Sequence, residues 1–124
     1  MPDFISNIAS DNFRVARSKT LVNLADGTYN IIQLPKYSFI FKTVFKVDVP
    51  YSGGANGAVT IGYNATADGL MAAATSLARA AGVKTSETPY WFNTGSGMVT
   101  ITFSDGSDTT LVTGFVFVLY SVIH

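Results

Sequence analysis

Cysteine is absent from this chain, and histidine occurs once, at position 124. The first absence removes disulfides and thiolate metal sites, and it fits folding in a reducing cytoplasm. The second leaves no Ser-His-Asp, Cys-His or multi-histidine arrangement to assemble. A histidine at the end of a chain is a poor positioned base, because fixed geometry needs a supporting shell. Charge is scarce too: charged residues are 13% of the 124 positions, about half the usual ~25%. Two explanations are open. One is a β-rich domain full of Thr, Ser, Gly and Ala; the other is a surface covered by other subunits, since interface centres are depleted of charge.

Long hydrophobic runs are missing as well. The most apolar segment, LVTGFVFVLYSVI, has about 13 residues where a bilayer-spanning helix needs ~20, and it is rich in β-branched and aromatic residues. It predicts a buried strand, and no membrane partner is expected. The first residues, MPDFISNIASDNFRVARSK, have no basic region followed by an apolar run, so no secretory signal is expected. The carboxylates mostly fall in turns, as at Asp26, Asp68, Asp105 and Asp108, where they satisfy backbone groups. Ser104–Asp108 lacks the regular spacing and bidentate Glu of a calcium loop, and the glycines of 52–57 precede no helix and no Lys-Ser/Thr. No cofactor, no metal and no enzymatic activity are expected.

Net charge is zero but uneven along the chain. Arg14, Arg17, Lys19, Lys36, Lys42 and Lys46 stand against Asp26 alone, whereas acids outnumber cations from Asp48 onward. Such polarity orients a domain on a partner. It falls short of the dense basic face that nucleic acid requires.

What is present is strand pattern. KYSFIFKTVFKVDVP places Tyr37, Phe39, Phe41, Thr43, Phe45, Val47 and Val49 on one face and Ser38, Lys42, Lys46 and Asp48 on the other, with Ile40 and Val44 as exceptions. The alternation predicts that Phe39, Phe41, Phe45 and Val47 share a core with Val59, Ile61, Val99, Ile101 and Phe103. Residues 111–123 are apolar on both faces, Phe115, Phe117 and Leu119 opposing Val116, Val118 and Tyr120. Such a strand is covered on both sides or lies against another subunit, which predicts a homo-oligomer. SDGSDTT reads as a hairpin connection. The Ala-rich segment 65–81 predicts a short helix, with Asp68 as N-cap and Gly82 as stop, or a structured crossover. Tyr90 and Phe92 fall on one face and Trp91 on the other, so the three rings make no single flat platform; core packing for the pair and an edge or interface place for Trp91 follow.

The chain therefore reads as all-β, an antiparallel β-sandwich of jelly-roll or immunoglobulin-like kind. Residues 1–11 form an N-terminal arm and residues 12–124 one sandwich domain. Candidate partner-contact residues are Phe4, Ile5 and Ile8 of the arm, then Arg14, Arg17 and Trp91.

In order along the chain stand Leu34-Pro35-Lys36-Tyr37-Ser38-Phe39-Ile40, Val59-Thr60-Ile61-Gly62 and Ala67-Asp68-Gly69-Leu70. Val99-Thr100-Ile101-Thr102-Phe103, Thr113-Gly114 and Tyr120 close the series. Over residues 30–124 this resembles small tailed-bacteriophage virion proteins, which usually carry a small residue where this chain has Lys36-Tyr37. The resemblance implies a non-enzymatic virion part assembled in the bacterial cytoplasm, a capsid decoration or cement subunit bound to other virion proteins, the major capsid protein first. It implies trimers or other symmetric clusters. A tail or fibre component is the nearest alternative, and a carbohydrate-binding module using Trp91 is the alternative from another class.

Overall fold

The computed structural model describes residues 13–22, 27–49, 58–63, 66–72, 81–92, 97–104 and 113–123. Ten strands run through them: β1 (Arg14–Arg17), β2 (Leu21–Val22), β3 (Gly27–Leu34), β4 (Ser38–Val49), β5 (Ala58–Tyr63), β6 (Thr66–Met71), β7 (Gly82–Ser86), β8 (Tyr90–Trp91), β9 (Gly97–Ser104) and β10 (Thr113–Val122). One sheet has the order β1-β10-β4-β7, with β2 also on β10 and β8 also on β4; the other has the order β3-β9-β5-β6. All pairings are antiparallel.

β1 and β2 lie along the same side of β10 and act as one interrupted strand. Ser18 bridges the interruption: its amide donates to the Val116 carbonyl (2.8 Å), and its hydroxyl oxygen accepts from the Val116 amide (3.0 Å). β7 and β8 likewise share one side of β4. Counting each pair as one strand leaves eight, and the chain changes sheet at every connection except β5 to β6. That order is a jelly roll, not an immunoglobulin sandwich.

Between the sheets lie Ile32, Leu34, Ile40, Phe45, Val47, Val59, Ile61, Leu70, Val99, Ile101, Phe103, Val116 and Val118, all buried. An aromatic group closes one end. Tyr63 of β5 stacks on Tyr90 of β8 (3.7 Å between centroids), and Phe92 meets Tyr90 edge-on (4.8 Å). Gly69 and Gly97 seat these rings: a Cβ at Gly69 would collide with Tyr63, and one at Gly97 with Phe92. Tyr90 and Phe92 thus pack inward as the alternation predicts, and Trp91 faces out.

Three expectations are corrected. First, Thr66–Met71 is strand, not helix, because pairing with β5 and burial of Leu70 and Met71 outweigh local propensity. Asp68 is a strand residue and not an N-cap. The chain does cross between sheets from β6 to β7; residues 73–80 lie outside the described residues. Second, SDGSDTT cannot be a hairpin connection, because β9 and β10 belong to different sheets.

Third, Phe39 and Phe41 leave the core. Lys42 pairs with Leu119 and Ile40 with Tyr120, so Phe41 is an extra residue in β4, a β-bulge. The inward set is therefore Ser38 and Ile40 before the bulge, then Thr43, Phe45 and Val47 after it. Ile40, an exception to the simple alternation, is fully buried for this reason. Phe45→Ala should therefore cost ~3–5 kcal/mol, whereas Phe41→Ala, truncating a half-buried ring, should cost about 1 kcal/mol. Urea denaturation of both variants checks the inversion, and equal losses would contradict it.

The Thr43 hydroxyl is buried without a hydrogen-bond partner. An unsatisfied buried hydroxyl costs on the order of 1–3 kcal/mol. Thr43→Val should raise stability by about 1 kcal/mol in the same assay.

Candidate functional site

The bulge builds an unusual surface. Residues directly opposite in an antiparallel pair share a face, so the register lays out the outer face of the β1-β10-β4-β7 sheet in rows. Val15, Leu119 and Lys42 make one row; Arg17, Phe117, Val44 and Thr85 the next; Phe115, Lys46 and Val83 a third. Ser121, Phe39 and Trp91 make the row beyond the bulge. Phe41 fills the gap, its ring 5.1 Å from Phe39 and 5.4 Å from Phe13. Phe115 and Phe117 form a second pair at 6.0 Å.

Cations edge these rings. The Arg17 guanidinium lies 3.8 Å above the Phe115 centroid, and Lys46 Nζ is 5.8 Å from it. Arg17 also donates to the Thr20 hydroxyl at 3.4 Å, so its fork is oriented from β1 by contacts at both ends. Each exposed cation–π contact is worth roughly 0.5–1 kcal/mol. Lys46 pairs with Asp48 at 3.3 Å, and exposed Glu87 follows directly on β7. Among the described residues three cations, Arg17, Lys42 and Lys46, thus stand against two carboxylates, Asp48 and Glu87.

The opposite outer face of the sandwich is different in kind. Thr28, Asn30, Gln33, Thr60 and Thr102 alternate with the core residues of β3, β5 and β9, and the Thr28 and Thr102 hydroxyls bond at 3.0 Å. Small hydroxyl and amide groups suit water. Large apolar side chains do not: Phe13 is 54% and Val15 65% exposed, and Phe39, Phe41, Phe115 and Phe117 are half-buried. An apolar sheet face of this kind marks an interaction surface.

Of the expected contact residues, Arg17 and Trp91 fall on this face. Arg14 lies exposed on the other side of β1, in register with Tyr120, and is not part of it. Phe4, Ile5 and Ile8 lie outside the described residues, with the rest of the arm. Val15, Phe39 and Phe41 were not foreseen here, and Lys42 and Lys46 only as part of the basic stretch that orients the domain on a partner. For Phe39 and Phe41 the available signal was Ile40, the apolar residue that breaks the alternation. For Phe115 and Phe117 the signal was plain, since β10 is apolar on both faces.

A separate cleft of about 360 Å³ opens beside β2 and β3, lined by Lys19, Leu21, Tyr29, Asn30 and Ile31. Among the described residues that line it there is no carboxylate, histidine, serine or threonine. Among the described residues no three His, Cys, Asp or Glu side chains come together to hold a metal ion.

No family model matches the sequence, and no curated protein does. Solved structures do match. A chain of the acid-stable capsid structure of Helicobacter pylori bacteriophage KHP30 aligns at TM-score 0.66 with 19% identity, covering 89% of this chain and 87% of that one. A chain of the cyanophage Pam1 capsid asymmetric unit aligns at 0.62 with 16% identity, covering 99% and 100%. The likeness is one of fold. It agrees with the expected resemblance to phage virion proteins.

Trp91 is the single tryptophan and 44% exposed. Its emission in the free protein should be red-shifted and readily quenched by acrylamide. A blue, quencher-resistant emission from a dilute sample would contradict its place on an open face.

Proposed function

We propose that this chain is a non-enzymatic structural subunit of a bacteriophage virion, a decoration or cement protein that attaches to the capsid shell through the outer face of its β1-β10-β4-β7 sheet. The observation that carries the reading is the pairing of a jelly roll shared with chains of two phage capsid structures with an aromatic outer face unsuited to water. Attachment would proceed by burial of that face, worth roughly 25 cal/mol per Å² of apolar area. Summed over many subunits, such burial bridges neighbouring shell proteins and opposes internal pressure. Symmetric clusters of copies, a trimer first among them, belong to the same proposal.

A tail or fibre position would use the same surface. A carbohydrate-binding module finds less support, because Tyr90 and Phe92 turn into the core and leave Trp91 without a coplanar neighbour from its own segment. Sugar platforms need rings presented side by side.

Purified protein added to empty shells of the phage that encodes it should cosediment with them and saturate at a fixed number of copies per shell. Mass spectrometry of intact virions should give the same number. Absence from the virion, or presence only in tails, would overturn the shell assignment.

A further inference from the structure

We propose that the aromatic–cationic face docks on a protein surface that is apolar at its centre and carries carboxylates at its margin. This deepens the shell reading and rests on it only for the partner's identity. The partner's chemistry follows from the face itself.

Charge decides against a second copy seated on the same face. Among the described residues Arg17, Lys42 and Lys46 outnumber the acids near them, Asp48, already bonded to Lys46, and Glu87, just past the end of β7. Two copies seated face to face would bring Arg17, Lys42 and Lys46 of one against the same cations of the other, and like charges brought together oppose association. Four strands ~4.8 Å apart and rows ~6.8 Å apart give a face of roughly 400 Å², about half the ~800 Å² that each partner contributes to a standard interface. The face is therefore the centre of a larger contact, completed by the surface of this chain around it.

Geometry decides against nucleic acid. The Phe13, Phe39 and Phe41 rings are tilted by 48° and 58° to one another, and of the nearer-parallel pair, Phe115 and Phe117 at 28°, Phe115 is already covered by the Arg17 guanidinium, so no open run of parallel rings is offered to successive bases. Three cations do not track a phosphate backbone. An apolar ridge flanked by Asp or Glu, in contrast, satisfies both components. Its side chains fill the steps between tilted rings, and its carboxylates reach the Arg17 fork.

The test uses the full chain and two probes, a random glutamate–tyrosine copolymer and the phage's empty shells. Copolymer binding is read through Trp91 emission under tryptophan-selective excitation. Val15→Glu and Arg17→Glu, at exposed positions that should leave the fold intact, should each weaken copolymer binding at least about tenfold. Gln33→Glu on the threonine-rich face should not. Polyglutamate should bind more weakly than the copolymer, and raising salt from about 50 mM to about 500 mM should weaken both. Equal binding by all variants overturns the inference. So does oligothymidine binding as tight as the copolymer's, or an oligomer in light scattering that Arg17→Glu dissolves. The shells separate the two readings. Shells that bind wild type and Arg17→Glu alike would leave the shell reading standing and this face wrong. Shells that bind neither, with the copolymer result intact, would overturn the shell reading and keep the face.

Discussion

One extra residue in β4 determines how the rest of this sandwich presents itself. Side chains alternate along a strand with period two, so inserting Phe41 between paired positions exchanges the faces of everything on one side of it. Without the bulge, Phe39 and Phe41 would follow Phe45 inward, and Ser38 and Ile40 would face solvent. With it, Ile40 fills the core and two phenyl rings emerge beside Phe13 and Trp91. Bulges concentrate where a strand must re-aim its side chains, and here the re-aimed side chains are the hydrophobic centre of the outer face. The same region is tied down on both sides. Phe92 donates to the Ser38 carbonyl, and Ile123 to that of Tyr37, which holds a positive φ of 62° in the turn leading into β4. Phage proteins of the resembling kind usually carry a small residue at this point, as a left-handed backbone favours. Tyr37 occupies it nonetheless.

The cations of the face depend on a second irregularity. β1 and β2 are two short pieces on one side of β10, and the serine between them replaces a ladder carbonyl with a hydroxyl. That exchange keeps the Val116 amide satisfied while the edge changes course. Arg17 is the residue immediately before it. Its guanidinium therefore leaves the sheet where it can cover Phe115 and reach Thr20. Bulge and interruption together bring rings and charges to one surface although they lie far apart in the chain.

Much of this was legible in the residues, and the failures have physical causes. The all-β class, the inward set of Val59, Ile61, Val99, Ile101 and Phe103, and the two-faced β10 followed from alternation alone, because a buried face penalises any slip in register. The split of Tyr90 and Phe92 from Trp91 followed in the same way. The bulge was not legible, since the period-two pattern of KYSFIFKTVF fits an unbroken strand better than a bulged one; only Ile40 argued otherwise. Strand at 66–71 was missed because local propensity there favours helix, whereas pairing with β5 and the Gly69 seat for Tyr63 are long-range. The jelly-roll order needs knowledge of which strands pair, and a hairpin signal such as Asp105-Gly106 cannot distinguish a turn within a sheet from a crossing between sheets.

The shortage of charge in the composition can now be apportioned. On the β3-β9-β5 outer face, hydroxyl and amide side chains occupy the positions where charges would stand, and hydrogen bonds such as Thr28–Thr102 serve in their place. That half of the shortage needs no partner, because those groups are well hydrated. On the other outer face, charges are few because rings occupy the positions, and rings left open to water forgo roughly 25 cal/mol per Å² of attainable burial. Val44 is buried there although it faces outward, in the row of Arg17, Phe117 and Thr85, so part of the face already behaves as an interior. A chain of 124 residues has apolar groups enough for its core without these rings. Their placement outside it, held by a bulge and edged by oriented cations, makes sense as one side of an interface whose other side is apolar and acidic.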